Sequence, residues 1–391
     1  MGLFESIFGK KQQVNATDGY FQTLTAYRPV FTTWGGKLYE SELVRSAIDA
    51  RARHISKLKV DTIGSAKPML QSRIRKKPNS FQTWSQFLYR LSTILDMQNT
   101  AFIVPVIEHG ETTGYFPVLP SQCEIVMANN EPYIRYHFSS GKVGAIELSK
   151  SGIMTKFQYE SDMFGSDNTA LNNTMALLDI QKQGIKEAIK NSATYRFMAQ
   201  VNNFTKAEAL AKERQRFTKE NLSKEAEAGG LLLFPNTYMN IQQLKNTPYT
   251  VDSAQMELIQ TNVYNYFGVN KDILQNSAFG DAWSAFYEGA IEPFSIQFSE
   301  VITKMTFTDR EQAQGTLIIA TANRLQYMSN KDKLEVSAQM ADRGIMSINE
   351  VREIWNLAPV DGGDVRIIRG EYWNADEKTG DDNNEQDNGE N

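Results

Sequence analysis

Residues 267–283 read FGVNKDILQNSAFGDAW and separate two of the strongest helical patterns in the 391-residue chain. Before them, Met256, Ile259, Val263, Tyr266 and Phe267 recur at helical spacing behind Asp252, and Gln255 completes a capping-box pattern. Gly268 is the expected stop, because glycine enters the left-handed region without steric cost. After them, Asp281 is read as the cap of a helix carrying Phe286, Ala290, Phe294, Phe298, Val301 and Met305. Pro293 lies inside that helix. It removes a backbone donor and crowds the carbonyl of Gly289, so Gly289 and Pro293 mark an expected kink. Between the two helices run about a dozen residues of mixed polar sequence, a length that compact domains rarely leave without a function.

N-terminal to this stretch, residues from Tyr39 to Val60 read as a helix with Leu43, Ala47, Ala50, His54 and Leu58 on one stripe. A basic cluster, RIRKKPN at 73–79, ends at Pro78, and Ser80 or Thr83 is placed to cap FQTWSQFLYRLSTILDM. Between 101 and 160 the period changes. AFIVPVIE, GYFPVLP, CEIVMA, PYIRYHF and AIELS are short β-type runs punctuated by Gly, Pro and Asn, which predicts a strand-rich centre. Helical spacing returns through Leu171, Met175, Leu178, Ile185, Ile189 and Phe197, with Gly184 as its weak point. A compact insert follows, with six basic and five acidic side chains over 206–227 and then LLLFPNTYMNIQQL, read as two short strands. Its Lys212, Arg214, Arg216, Lys219 and Lys224 are interspersed with carboxylates, the pattern of a solvated helix face and not of a nucleic-acid patch. Beyond the opening stretch, GTLIIATA reads as a strand. NKDKLEVSAQMADRG and SINEVREIWNL read as helices meeting at Gly344, the second opened by a Ser347–Glu350 capping box.

The net charge of −5 is concentrated at one end. From Ala375 onward there are seven acidic residues and one lysine, which leaves residues 1–374 with 40 basic and 39 acidic side chains. A protein built to grip nucleic acid carries a basic surplus; this body is close to neutral. The acidic stretch has no aromatic residue after Trp373 and reads as disordered and solvating. One cysteine, Cys123, excludes an intrachain disulfide. No apolar run approaches the roughly 18 residues of a membrane span, so no membrane partner is expected. The opening, MGLFESIFGKK, lacks the pattern of a signal peptide, and a cytoplasmic product is expected.

Motifs that carry chemistry are missing. The GK pairs at 9–10, 36–37 and 141–142 are followed by Lys, Leu and Val, so no phosphate cradle is formed. There is no G-x-S-x-G elbow, and three scattered histidines with one cysteine do not make a zinc spacing. DGGD at 361–364 reads as a turn and lacks the rest of a calcium loop. Asp162 and Asp167 flank a Gly-Ser turn and are the best acid–base candidates, with nothing nearby to split their acidities. No enzyme, cofactor or metal is expected.

Taken in order, these segments resemble the portal proteins of tailed bacteriophages, in their HK97-type branch. The carrying residues are SELVRSAIDARARHISKLKV, KKPNSFQTWSQFLYRLSTILDMQNTAFIVPV, GGLLLFPNTYMNIQQL, YNYFGVNKDIL, the Pro293 helix and GIMSINEVREIWNLAPVDGGD. They span residues about 40 to 370, and the last is the most specific. The chain has Gln98-Asn99-Thr100 where the family commonly has Gly-Asn-Ala, and Val269-Asn270 where it has Val-Pro.

The resemblance implies an α+β fold with a mixed α/β wing, a long helical stem, a small α/β clip and a helical crown. On this sequence it implies an N-terminal arm at 1–38, wing at 39–167, stem helix at 168–200 and clip at 201–250. A second stem helix at 251–268, a tunnel loop at 269–281 and a long kinked helix at 282–306 follow. A wing strand at 307–324, a crown at 325–374 and the acidic tail at 375–391 complete it. Also implied is a homo-oligomeric ring, usually of twelve subunits, at one capsid vertex of a virion assembled in a bacterial cytoplasm. Double-stranded DNA passes its channel without sequence specificity. Implied protein partners are the terminase large subunit, the head–tail connector or adaptor that replaces it, the major capsid protein and the scaffold. Asn270, Lys271, Asp272, Gln275, Asn276, Ser277 and Phe279 then fall on the channel-facing loop, with Phe279 and Trp283 anchoring its ends. Lys212, Arg214, Arg216, Lys219 and Lys224 fall on the partner-docking clip. Tyr195, Phe197, Tyr264, Tyr266 and Phe267 suit either a subunit interface or an ordinary core. The rival reading is a carboxylate-dependent nucleic-acid enzyme using Asp162. A minor head protein of adaptor type is a third, disfavoured by the length of this chain.

Overall fold

The computed structural model describes residues 38–368 apart from 109–110, 129–130, 138–142, 193–195, 202–206, 220–237, 245–252, 279 and 323–329. The expected N-terminal arm (apart from Leu38), the acidic tail, Asp252, Tyr195, Lys224, Phe279 and the LLLFP strand lie outside the described residues. Two units divide the chain, one formed by residues 1–170 with 261–391 and one by 171–260.

In the larger unit, helix α1 (Glu42–Ile55) buries Leu43, Ala47 and Ala50 of the expected stripe, and Val44, Ile48 and Ile55 beside them. It ends at Ile55, short of the Val60 that periodicity suggests. Lys59–Ile63 instead forms strand β1, where β-branched Val60, Thr62 and Ile63 suit a pleated ladder. Helix α2 (Pro68–Ile74) starts on a proline whose missing donor costs nothing in a first turn. Helix α3 (Trp84–Gln98) opens with a full capping box. Thr83 Oγ1 accepts from Gln86 N at 3.3 Å and the Gln86 side chain accepts from Thr83 N at 3.0 Å, so Thr83 and not Ser80 is the cap.

Strands β2 (Thr100–Glu108), β3 (Glu111–Val118), β4 (Cys123–Ala128), β5 (Glu131–His137), β6 (Val143–Glu147) and β7 (Gly152–Thr155) follow. They form two three-stranded antiparallel sheets, ordered β3–β2–β7 and β4–β5–β6. Five of the six match the expected β runs; β7 was not expected. Phe102 and Val104 of β2 share a buried core with Val118, Met127, Ile134, Ile146 and Phe164. Ala101 and Ile103, on the other face of β2, are equally buried. A strand covered on both sides reads as a continuous apolar run, which is why AFIV does not alternate.

In the smaller unit, helix α4 (Asn172–Ser192) is followed by strand β8 (Arg196–Val201), helix α5 (Ala207–Phe217) and strand β9 (Tyr238–Leu244). Helical periodicity carried α4 through Phe197, but the chain turns to strand at Arg196 because β9 offers an antiparallel ladder for the same residues.

Helix α6 (Ser253–Tyr266) leads into α7 (Lys271–Leu274) and α8 (Asp281–Phe286). A π-turn over Tyr287–Ile291 then joins α8 to α9 (Glu292–Thr306), with Pro293 in the first turn of α9. Helix α10 (Asp309–Ala313) precedes strand β10 (Leu317–Thr321), which pairs antiparallel with β1. The other edge of β10 meets hydroxyl groups. Ser295, Ser299 and Thr303 recur every four residues along α9. Ser295 Oγ donates to the Ala320 carbonyl, Ala320 N donates to Ser299 Oγ at 2.9 Å, and Thr303 Oγ1 accepts from Ile318 N at 2.9 Å. One helix face thereby satisfies a strand edge that would otherwise present unpaired backbone groups. Rings hold α9 on α3: Trp84, Phe87 and Phe298 meet edge to face at 5.3–6.4 Å between centroids. At Gly152 an added Cβ would lie 2.6 Å from Val301, so β7 approaches α9 too closely for any side chain.

The C-terminal module comprises α11 (Asn330–Asp342), β11 (Arg343–Ser347), α12 (Ile348–Ile354) and β12 (Arg366–Ile368), with β11 and β12 antiparallel and packed on α11. The expected capping box is present, Glu350 N donating to Ser347 Oγ at 3.2 Å. The DGGD segment is a turn fastened by Asn349, whose Nδ2 donates to the Val360 carbonyl and to Asp364 Oδ1 at 3.1 and 2.8 Å.

Candidate functional site

Helix α6 ends in a Schellman motif. Gly268 takes φ +70°, its N–H donates to the Asn265 carbonyl at 3.1 Å, and Val269 N donates to Tyr264 at 2.9 Å. Asn270 immediately caps the next helix, its Oδ1 accepting from Ile273 N at 2.9 Å. After the single turn of α7, a second Schellman motif closes it. Asn276 takes φ +57° and donates to Ile273 at 3.2 Å, and Ser277 N donates to Asp272 at 2.8 Å. The segment expected to be a loop without structure of its own is therefore one helical turn capped at both ends. Gly280, not Asp281, occupies the cap position of α8, and Asp281 is its first helical residue.

This turn has two sides. Phe267, Val269 and Ile273 are buried, and α7 lies against α1. Asn270, Lys271, Asp272, Gln275, Asn276 and Ser277 are exposed. The cation at Lys271 stands next to the carboxylate of Asp272, so the polar side carries no surplus charge. Trp283 is buried and stacks on Tyr287 at 5.4 Å.

Below the turn lies a buried polar cluster that periodicity did not reveal. Arg51 and Asp96, both buried, form an ion pair, and Lys156 Nζ reaches the same Asp96 oxygen at 2.9 Å. The Arg51 guanidinium also donates to the Ala290 carbonyl within the π-turn, at 3.2 Å from Nη2. Pro293 has no N–H to return to Gly289, and Glu292 N reaches back five residues to Tyr287. Of the expected kink positions, Gly289 thus lies within a widened turn and Pro293 just after it, and the Ala290 carbonyl of that turn is held from another helix. Asn168 donates to the carbonyls of Asp96 and Met97, and its Oδ1 accepts from the Tyr266 hydroxyl and from Asn99 Nδ2, each at 2.7 Å. Burial pushes the Tyr266 phenol up to about 12, which keeps it a neutral donor. Burial also pulls the Lys156 ammonium below the ordinary lysine range, against the opposing pull of Asp96. The sequence signal was present: a charge at Arg51 on an alanine-lined helix face, and Asp96 within an apolar helix.

In the smaller unit, Lys212, Arg214, Arg216 and Lys219 are all exposed. Arg216 pairs with Glu213, which also accepts from the Tyr238 hydroxyl at 2.9 Å. Of the aromatics weighed for an interface, Phe267 is buried within the chain and Tyr266 belongs to the polar cluster. Among the described residues of α4 and α6, the exposed large apolar side chains are aliphatic instead: Leu177, Ile180 and Ile189 on α4 and Leu258 on α6. Asp167 closes a local turn, accepting from Thr169 N and Oγ1 at 3.0 and 2.6 Å. Among the described residues there is no group of three or more potential metal ligands, and no helix is long and apolar enough to cross a membrane.

The family model described as phage portal protein matches residues 42–356. No curated protein matches the chain. Among solved structures, a chain from the neck of an empty gene transfer agent (GTA) particle computed with C6 symmetry superposes with a TM-score of 0.58 at 12% identity. The match covers 88% of this chain and 100% of that one. The neck of a native GTA particle computed with C12 symmetry gives 0.51 at 14% identity over 87% and 98%. A crystal structure of an HK97-family phage portal protein from Corynebacterium diphtheriae gives 0.50 at 9% identity over 75% and 96%. A mixed α+β chain sharing this fold and this family model is a structural protein, not an enzyme. The chain belongs to the phage portal protein family.

Proposed function

We propose that copies of this chain close into a ring, of twelve as in the C12 neck it resembles, at one vertex of a phage-type particle. Double-stranded DNA passes through the central channel during packaging and ejection. The 269–281 segment lines that channel, and the exposed α5 face of the smaller unit docks the terminase large subunit and later the head–tail connector. Capsid protein and scaffold meet the outer body. The observation that carries the channel assignment is the two-sided turn: three buried apolar anchors beneath six exposed polar side chains of balanced charge. A surface that must let a duplex slide gains from weak, exchangeable hydrogen bonds. Each added cation would release counterions and slow the strand. Gln275 and Asn276 suit that task; Asn270 serves chiefly as the cap. The neutral body fits the same requirement, and an acidic tail on the head side would repel packed DNA.

Negative-stain images of the purified protein are expected to show rings with a central hole. Shortening 272–280 by a partial deletion is expected to leave those rings intact while lowering DNA packaging or retention. Loss of the ring on this deletion would refute the loop assignment, and a clean monomer at high concentration with scaffold present would refute the ring.

A further inference from the structure

Residues 330–368 bury one large apolar side chain, Ile354, and expose many. Leu334, Ile345, Leu357, Val365, Ile367 and Ile368 are each more than half exposed. A soluble surface tolerates scattered apolar residues, but a cluster this dense in so small a module marks a contact surface. The module is held together on one side only. Its sheet has two strands, packed on α11, and the exposed Ile345 and Ile367 show that the ribbon is not covered all round. β11 and β12 are paired only at Arg343–Ile368 and Ser347–Arg366, with an irregular register between them. Ile345 and Ile367 lie in that interval, where cross-strand hydrogen bonding is weakest.

We infer that the exposed apolar side of the module is covered by the neighbouring copy of this chain, and that its β11–β12 ribbon opens less often once the ring closes. This rests on the ring reading above. The occupant is argued from two features. A closed ring joins unlike faces of successive subunits, and the module offers its apolar residues on two separate elements, Leu334 on α11 and the others on the ribbon and the turn beyond α12. Its charges are also mixed, Arg343, Arg352 and Arg366 against Asp342, Glu350 and Glu353, so like copies do not repel one another. A nucleic-acid occupant would want a basic surplus that this module does not have.

The test is amide hydrogen exchange on the full chain, read by mass spectrometry on separated monomer and ring fractions. In rings, amides of 343–368 are expected to exchange about tenfold more slowly than in monomers, while those of 84–106 are unchanged. The double variant Ile345→Asp/Ile367→Asp is expected to shift material from closed rings to monomers and open arcs, with 84–106 still protected. Equal protection of 343–368 in monomer and ring would show that the module completes itself and would overturn the inference. Unaltered rings and exchange in the double variant would overturn it too and leave the surface to another partner. If the unmodified chain forms no rings under any condition, the ring reading itself fails, an outcome distinct from the other two.

Discussion

Asp96 is fully buried and shares one oxygen between Arg51 and Lys156. Such a cluster is costly to assemble, and removing one partner is more costly than removing all, because it strands a charge away from water. Arg51→Met is therefore expected to lower stability by about 3 kcal/mol, read as a lower denaturant midpoint. It should also speed exchange at 287–292, since the Ala290 carbonyl loses its donor. An unchanged midpoint would mean that Lys156 alone suffices. His54 gives a pH signature. It lies edge-on to Phe286 at 5.3 Å, and burial, with Lys57 and Arg53 nearby, lowers its pKa from 6.5 to about 4. The native state thus disfavours the proton that the unfolded chain accepts. Its contribution is fully present above pH 6.5 and is lost as pH falls from there toward 4. The melting temperature is expected to decline across that window, and His54→Gln should remove the part of the decline above pH 5, where carboxylates do not yet titrate. Identical slopes would exclude His54 as the source.

At the scale of elements, the turn between α6 and α8 depends on two backbone reversals and one cap. Asn270→Ala is expected to cost about 1 kcal/mol locally and to raise exchange at Ile273 without moving the global melting temperature by more than a few degrees. Gly268→Ala has room for its methyl, 3.7 Å from Ala290 Cβ. Its cost of about 1–2 kcal/mol comes from the positive φ alone. If neither change alters exchange in 267–277, the capped turn is not formed in solution. Much of this was legible beforehand. The stop at Gly268, the box at Ser347 and five of the central strands follow from local rules that need no distant partner. What escaped were features decided at long range. β1 and β8 read as helix extensions until β10 and β9 supplied their ladders, and the structure of α7 was hidden because Val269 and Ile273 look sparse until α1 is placed beneath them. The Arg51–Asp96 pair joins residues 45 positions apart, which no window of periodicity spans. The family resemblance was legible from the order of segments; which residues line a channel was not, since that is a property of many copies.

For the whole molecule, the neutral body and the capped polar turn both fit the channel proposed above, a wall that touches a polyanion without holding it. The hydroxyl rungs of Ser295, Ser299 and Thr303 add a mechanical consequence. Past Pro293, α9 is fastened to a strand edge at three points, and through β10 to β1, so a push delivered there is shared with that two-stranded sheet. Before Pro293 the hold is of another kind: α8 is short, the widened turn follows it, the Arg51 guanidinium reaches the Ala290 carbonyl, and Trp283, Phe286, Tyr287 and Ile291 are seated by apolar burial. The widened turn at Tyr287–Ile291 is therefore where the helix departs from regular α geometry, next to the hydrogen-bonded length of α9. In the proposed channel, a passing duplex would press on a turn seated by apolar contacts, ahead of a helix tied to a strand edge by hydroxyl groups.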